Sequence, residues 1–233
     1  MSNKKLEAYF DSFKISYNDQ IIKNLCDLCD KTLETNEKFN LTAITNKDVF
    51  YEKMILDSAL GIIRFDLTAK KVIDVGTGAG FPGLVLYILN NDIDLTLLDS
   101  TSKKINYLRE YCEERNYNVK TVASRAEDFA SKHREEYDFA YARAVSSLSI
   151  LLELIMPMLK VGGYFIALKG KDADNEIKEA SNALKLLNAE IVEIQNYVLP
   201  DSKEERNILV IRKNKETMKK YPRQYNEIKR RPL

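Results

Sequence analysis

The segment Val72-Ile73-Asp74-Val75 runs without a spacer into Gly76-Thr77-Gly78-Ala79-Gly80-Phe81-Pro82-Gly83, which holds half of the chain's 8 glycines. The apolar run has the pattern of a strand buried on both faces. Glycines between such a strand and a helix let the backbone turn sharply and approach a ligand closely. In open α/β sheets nucleosides bind here, beyond the carboxyl ends of the strands. Asp99 closes the next apolar run, 23 residues after Gly76, the spacing at which an acidic side chain accepts hydrogen bonds from ribose hydroxyls.

The rest of the chain fits an α/β fold of the Rossmann-like kind. No Gly or Pro occurs before Gly61, and Ile21, Ile22, Leu25, Leu28 and Leu33 recur at helical spacing. This predicts a small helical cap over residues 1–66, running from Lys4 to about Arg64. Over 67–213 strands alternate with helices. The strands are read at Lys71–Val75, Asp94–Leu98, Val119–Ala123, Tyr137–Ala142 and Tyr164–Lys169, and a helix is read over Ala173–Leu187. That alternation predicts right-handed crossovers and a mostly parallel sheet. Glu190–Val198 and Asn207–Arg212 have no helix between them, so the last two strands are expected to be antiparallel, near one edge. Residues 214–233 form a basic C-terminal tail.

The glycine spacing separates candidate ligands. A dinucleotide fingerprint read from Gly76 fails at Phe81. Read from Gly78, it meets Gly83 behind Pro82, which has no N–H for a pyrophosphate. No G-K-[ST] follows, so a phosphate loop is excluded. The loop resembles the G-x-G-x-G of class I methyltransferases, which hold S-adenosylmethionine.

The resemblance extends over nearly the whole chain. Asn40-Leu-Thr-Ala-Ile44, the run from Asp74 to Gly83, Leu97-Leu-Asp-Ser100, Lys103-Lys104, Ser124-Arg-Ala-Glu127, Ala142-Arg-Ala144, Leu168-Lys-Gly170, Tyr221-Pro-Arg223 and Pro232-Leu233 stand in an order similar to that of the ribosomal small-subunit methyltransferase G family, also called glucose-inhibited division protein B. The resemblance implies methylation of a guanine N7 in 16S ribosomal RNA, near the decoding site, with S-adenosylmethionine as methyl donor. It implies cofactor contacts at Gly76, Gly78, Gly80, Phe81, Ala126, Glu127 and Arg143, with Asp99 on the ribose. Met54 and Ala59 depart from the expected His and Leu. Gln224, Asn226 and Ile228 depart from Lys, Gly and Pro. These departures are expected to touch RNA docking rather than the cofactor site.

The residues suit that chemistry. Guanine N7 carries a free in-plane lone pair and needs no deprotonation before attacking a sulfonium methyl, so catalysis can rest on proximity, alignment and desolvation. Arg143 ends the fourth strand opposite the glycine loop and is the candidate catalytic residue. Its guanidinium could stack on the base, hold O6 or pair with the methionine carboxylate, or else form a salt bridge with an acid such as Glu127. Arg125 and Lys169 are candidates for phosphate or cofactor contacts. The single histidine, His133, reads as a solvated helix-end residue. No [N/D]-P-P-[Y/F] motif for exocyclic amines follows the fourth strand, and Cys26, Cys29 and Cys112 all fall on predicted helices rather than at a strand end suited to a nucleophile. Cys26-x-x-Cys29 lacks a second pair, so no metal is expected and both thiols read as half-buried. A small-molecule methyltransferase and a non-catalytic nucleotide-binding assembly factor remain as alternatives.

Three cysteines, no apolar leader and no uninterrupted apolar stretch predict a cytoplasmic protein without a membrane span. Nothing in the pattern points to an obligate dimer, and a monomer is expected. The formal net charge of +1 conceals a segregation: from Arg212 to Leu233 there are nine cations against two carboxylates. This strip, with Tyr221 and Tyr225 interleaved, suits phosphate contacts and base stacking, with Arg223, Lys229, Arg230 and Arg231 as RNA contacts. Its deletion is expected to weaken RNA binding far more than cofactor binding.

Overall fold

The structure, a computed structural model, describes residues 2–61, 65–143 and 146–233. Arg64 of the expected cap and Ala144 of the Ala142-Arg143-Ala144 motif lie outside them. The chain begins with helices α1 (Ser2–Ser12) and α2 (Asp19–Asn36). The Asn18 side chain caps α2 by accepting the Ile21 N–H at 2.9 Å. A third helical stretch changes its winding twice: α3 (Lys47–Phe50), a π-helical turn (Tyr51–Leu56) and α4 (Asp57–Leu60).

Seven strands follow, β1 (Lys71–Val75), β2 (Asp94–Asp99), β3 (Val119–Ala123), β4 (Tyr137–Arg143), β5 (Leu159–Lys169), β6 (Ala189–Val198) and β7 (Glu205–Lys213), in the sheet order β3-β2-β1-β4-β5-β7-β6. The first five are parallel, and β7 pairs antiparallel with both β5 and β6. Between them lie α5 (Gly83–Leu89), α6 (Ser102–Glu114), α7 (Ala126–Lys132), α8 (Leu148–Ile155), α9 (Ala173–Glu179) and α10 (Ser181–Leu186), and α11 (Tyr225–Arg230) ends the chain.

Strand periodicity sorts the core into two layers. Val72, Leu97, Tyr141, Ile166 and Val210 face one way and pack with the cap, α5 and α6. Ile73, Ala140, Phe165, Ala167 and Leu209 face the other way, toward α7, α8 and α10. The cap is tied to the tip of the β6–β7 hairpin, which stands at the carboxyl ends of the parallel strands. There the buried Glu52 accepts the backbone N–H groups of Asp201 and Ser202, and Lys5 and Tyr9 hold the Asp201 carboxylate, each at 2.7 Å. The π turn therefore sits over the ligand edge of the sheet.

Two elements differ from expectation. β5 starts five residues earlier than read, because the strand continues through an irregularity at Gly162 and Gly163: Leu159 pairs with Tyr137 and Tyr164 with Phe139. The helix expected over 173–187 breaks at Ala180, where the Ser149 hydroxyl donates to the Glu179 carbonyl at 3.4 Å.

The C-terminal segment packs onto the α8 side, where Tyr221 and Ile228 enter the core. Lys213 is wholly buried, and its ammonium donates to Glu135 and to the carbonyls of Met156 and Leu159, which satisfies all three N–H groups. Arg134 donates to the carbonyls of Tyr221 and Thr217, each at 2.6 Å.

Candidate active site

The sheet reverses its winding between β1 and β4, and the site lies over that crevice. Gly76, Gly78 and Gly80 take φ of 73°, 59° and 97°, a conformation that favours glycine. The N–H groups of Gly76 and Thr77 donate to Leu98 O at 2.8 and 3.0 Å, which ties the loop to the end of β2. The Gly78 N–H donates to Asp99 Oδ2 at 3.0 Å, and Asp99 Oδ1 accepts the Thr101 N–H. The ribose candidate is thus oriented from both sides with lone pairs to spare.

Beneath the loop the buried Asp74 accepts the Thr77 hydroxyl at 2.6 Å and the Gly83 N–H at 2.8 Å through Oδ2, while Oδ1 has no partner among the described residues. Burial raises the Asp74 pKa to about 6, against the effect of those two donors. Packing is tight on the helix side, where a Cβ on Gly83 would lie 2.3 Å from Leu97 Cδ2.

Two adjoining cavities share Gly76, Gly78 and Arg143. The smaller, about 270 Å³, is lined by Asp99, Ser100, Lys104, Arg125, Ala126, Glu127 and Tyr225. The larger, about 650 Å³, is lined by Thr42, Lys53, Met54, Asp57, Phe81, Lys169 and Arg206. Nine of the expected residues therefore converge on one cleft. Gly80 instead supports it from below, where a Cβ would lie 2.6 Å from Leu84 Cδ1.

Arg143 occupies the junction, but its acid is Asp57 at 3.5 Å rather than Glu127. It also donates to Lys53 O at 2.8 Å and to Met54 Sδ at 3.0 Å, and lies 5.7 Å from the Phe81 ring centroid. Burial lowers its pKa, and the nearby carboxylates of Asp57 and Asp74 oppose that shift. Asp57 further accepts the Tyr197 hydroxyl at 2.7 Å and pairs with Arg206 at 3.5 Å. Glu127 pairs instead with Arg125.

Met54, read as a change affecting RNA docking, therefore stands inside the cleft against Arg143. Asp57, Arg206 and Glu176 were not singled out from sequence. The one available signal was an acid within the apolar run Ile55-Leu56-Asp57-Ser58-Ala59-Leu60. Lys169 lines the cleft wall, with its ammonium donating to Ser146 O and Glu176 Oε2, each at 2.7 Å. Arg223 is turned inward onto Glu153, whereas Lys229, Arg230 and Arg231 are exposed. His133 caps the end of α7 away from Ala126 and stacks on Phe129 with centroids 4.0 Å apart. Cys26 and Cys29 are buried rather than half-buried, and burial pushes the Cys29 thiol up to about 12.

A glycine-lined crevice at the β1/β4 switch point, an acid ending β2 and an antiparallel final strand pair define the Rossmann-like methyltransferase fold. Solved structures agree in fold. A ribosomal protein L11 methylase from Lactobacillus delbrueckii subsp. bulgaricus superposes with a TM-score of 0.55 at 16% identity, over 70% of this chain and 79% of that one. TYW2 of M. jannaschii, in complex with AdoMet, gives 0.55 at 11% identity, over 67% and 74%.

Sequence comparison is narrower. The model of the family rRNA small subunit methyltransferase G (GidB) matches residues 21–209, and the chain belongs to that family. Proteins named ribosomal RNA small subunit methyltransferase G are similar along most of their length. That of Clostridium botulinum (strain ATCC 19397 / Type A) is 38% identical over 98% of this chain and 97% of its own. That of Alkaliphilus metalliredigens is 42% identical over 93% and 92%.

Proposed function

We propose that the chain transfers the methyl group of S-adenosylmethionine to N7 of one guanine in 16S ribosomal RNA. The observation that carries this reading is the pair of joined cavities. The smaller has nucleoside dimensions and ends on the carboxylate of Asp99. The larger, which shares Arg143 with it, has room for a base.

Asp99, Ala126 and Glu127 would hold the nucleoside. Gly76, Gly78 and Phe81 would border the methionine half, with Arg143 between donor and acceptor. The cofactor supplies an electrophilic methyl on a cationic sulfur. The two carboxylates lining the larger chamber are engaged, Asp57 by Arg143, Arg206 and Tyr197, and Glu176 by Lys169 and the Leu148 N–H. An N7 acceptor needs no general base. Arg143 and Phe81 then exclude water and fix the plane of the base.

Exposed cations on the C-terminal segment, among them Arg212, Lys219, Lys220, Lys229, Arg230 and Arg231, fit phosphate binding that weakens with salt. Incubating the full chain with labelled cofactor and small-subunit RNA that lacks the mark is expected to label one guanine, detected as 7-methylguanosine. Label in another base, or only in a small metabolite, overturns the assignment.

A pH dependence follows from Asp74. As pH falls through about 6 its carboxylate protonates, weakening its bonds to Thr77 and Gly83 and removing a negative charge beneath a cationic ligand. Cofactor affinity is expected to drop several-fold between pH 7 and pH 5 and to level off below. Stability moves oppositely. The folded pKa lies above the unfolded value, so the folded state binds the proton more tightly, and Asp74 contributes stability as pH falls from 6 toward 4. Calorimetric titration of Asp74→Asn should show a flatter affinity profile over that range.

A further inference from the structure

The C-terminal segment does more than present cations to solvent. Tyr225, at the start of α11, lines the smaller cavity together with Asp99. Its ring lies face to face with Arg125, whose guanidinium carbon is 4.2 Å from the ring centroid. Arg125 is fixed in turn by Glu127 at 3.2 Å. The backbone leading to Tyr225 is anchored on both sides: Arg223 grips the buried Glu153 through its own N–H and guanidinium, and Ile228 is buried three residues on. The ring is therefore a built wall of the cavity, held from a segment remote in sequence from the other lining groups.

From this we infer that Tyr225 is a cofactor-binding residue: its ring, backed by Arg125, closes the nucleoside half of the cleft and receives the purine. The inference rests on the reading of that cavity as the S-adenosylmethionine site. Its chemistry is that of a flat, neutral π-system meeting an aromatic wall, with the Arg125 guanidinium stacked on the ring as a delocalised cation. A glycine loop and a ribose acid supply no aromatic face for the base. Tyr225 supplies one, and it puts part of the cofactor site on the same segment that carries the exposed cations.

The test uses the full chain with Tyr225→Leu, which keeps an apolar contact with the core but removes the aromatic face, and Tyr225→Phe, which keeps the face. Binding of S-adenosylmethionine and S-adenosylhomocysteine is measured by calorimetry, and the KM for RNA by methyl transfer. Tyr225→Leu is expected to weaken both ligands about tenfold, in line with the worth of one base–aromatic stack. Tyr225→Phe is expected to stay within about twofold, and the KM for RNA to be unchanged in both. Unaltered cofactor affinity in Tyr225→Leu overturns the inference, and so does a raised KM for RNA alone, which would place an RNA base on the ring. Equal losses in the two variants also overturn it. Failure of the unsubstituted chain to bind either ligand would instead reject the cofactor reading itself.

Discussion

A Gly78→Asp chain is expected to fold and to lose methyl transfer. Gly78 stands between the two cavities with its N–H on Asp99, and a Cβ built there points into open space, with only Gly76 O as near as 4.0 Å. The fold therefore loses only the cost of a non-glycine residue at φ 59°, about 1 kcal/mol for aspartate, which tolerates that region. The ligand fares differently. The new side chain reaches into the junction of the two cavities, where the proposed cofactor would pass, and blocks it sterically. Calorimetry should find cofactor affinity reduced by more than about a hundredfold, with a melting temperature within a few degrees of the parent. Transfer to RNA should be absent at ordinary cofactor concentration. Wild-type activity in this variant would leave the cleft without a cofactor role. Gly83→Ala is the contrasting case: its Cβ meets Leu97 and Asp74 inside the core, so stability falls with activity.

That contrast shows what a sequence can reveal about such a site. The glycine loop, Asp99 and the end of β4 are local: each is fixed by the strand it terminates, and strand periodicity is visible in the chain. They converge because parallel strands bring their carboxyl ends to one edge. The partner of Arg143 was not visible, because Asp57 comes from the cap 86 residues earlier and is aimed by a π turn that no local spacing announces. Glu127, the acid expected for Arg143, belongs to the other face of the loop and holds Arg125. The break at Ala180 and the irregularity at Gly162 were hidden for a similar reason. In each case a contact from elsewhere in the fold, Ser149 or the Tyr137–Phe139 edge, overrides a local preference. The C-terminal strip was legible as charge but not as structure. Composition counts cations without showing which of them turn inward.

Asp57 also explains how the cap and sheet act as one body at the cleft. Its two oxygens bind Arg143 from β4, Arg206 from β7 and Tyr197 from β6, so three strand ends and the π turn meet on one buried carboxylate. Burial and then the Asp57 charge hold the Tyr197 phenol far above its usual pKa, which keeps it a hydrogen-bond donor. Arg143 thereby reaches the junction of the two cavities with its orientation already set, and little ordering is left for substrate binding to accomplish.

The inward cations give the last expectation its size. Arg223 spans Glu153 with two guanidinium bonds of 2.8 and 2.6 Å and a third from its own backbone N–H at 2.9 Å, and Glu153 is completely buried. Arg223→Met strands that carboxylate among apolar side chains of α8. Breaking one side of a buried pair costs about 3–5 kcal/mol. For a chain of this length that corresponds to a fall in melting temperature of about 6–20 °C. Replacing both partners, Arg223→Met with Glu153→Leu, removes the stranded charge and is expected to restore most of the loss, since well-packed apolar pairs substitute for buried ion pairs at little cost. The same double variant separates anchoring from RNA contact. If Arg223 serves the fold, the restored chain binds RNA with nearly the parental salt dependence, whereas Arg230→Ala, at an exposed position, lowers the slope by about one. A double variant that is stable yet has lost one unit of slope would return Arg223 to the RNA interface. Otherwise Arg223 works as the rivet that holds Tyr225 against the proposed cofactor cavity, and truncation after Arg212 should impair folding and cofactor binding together, not RNA binding alone.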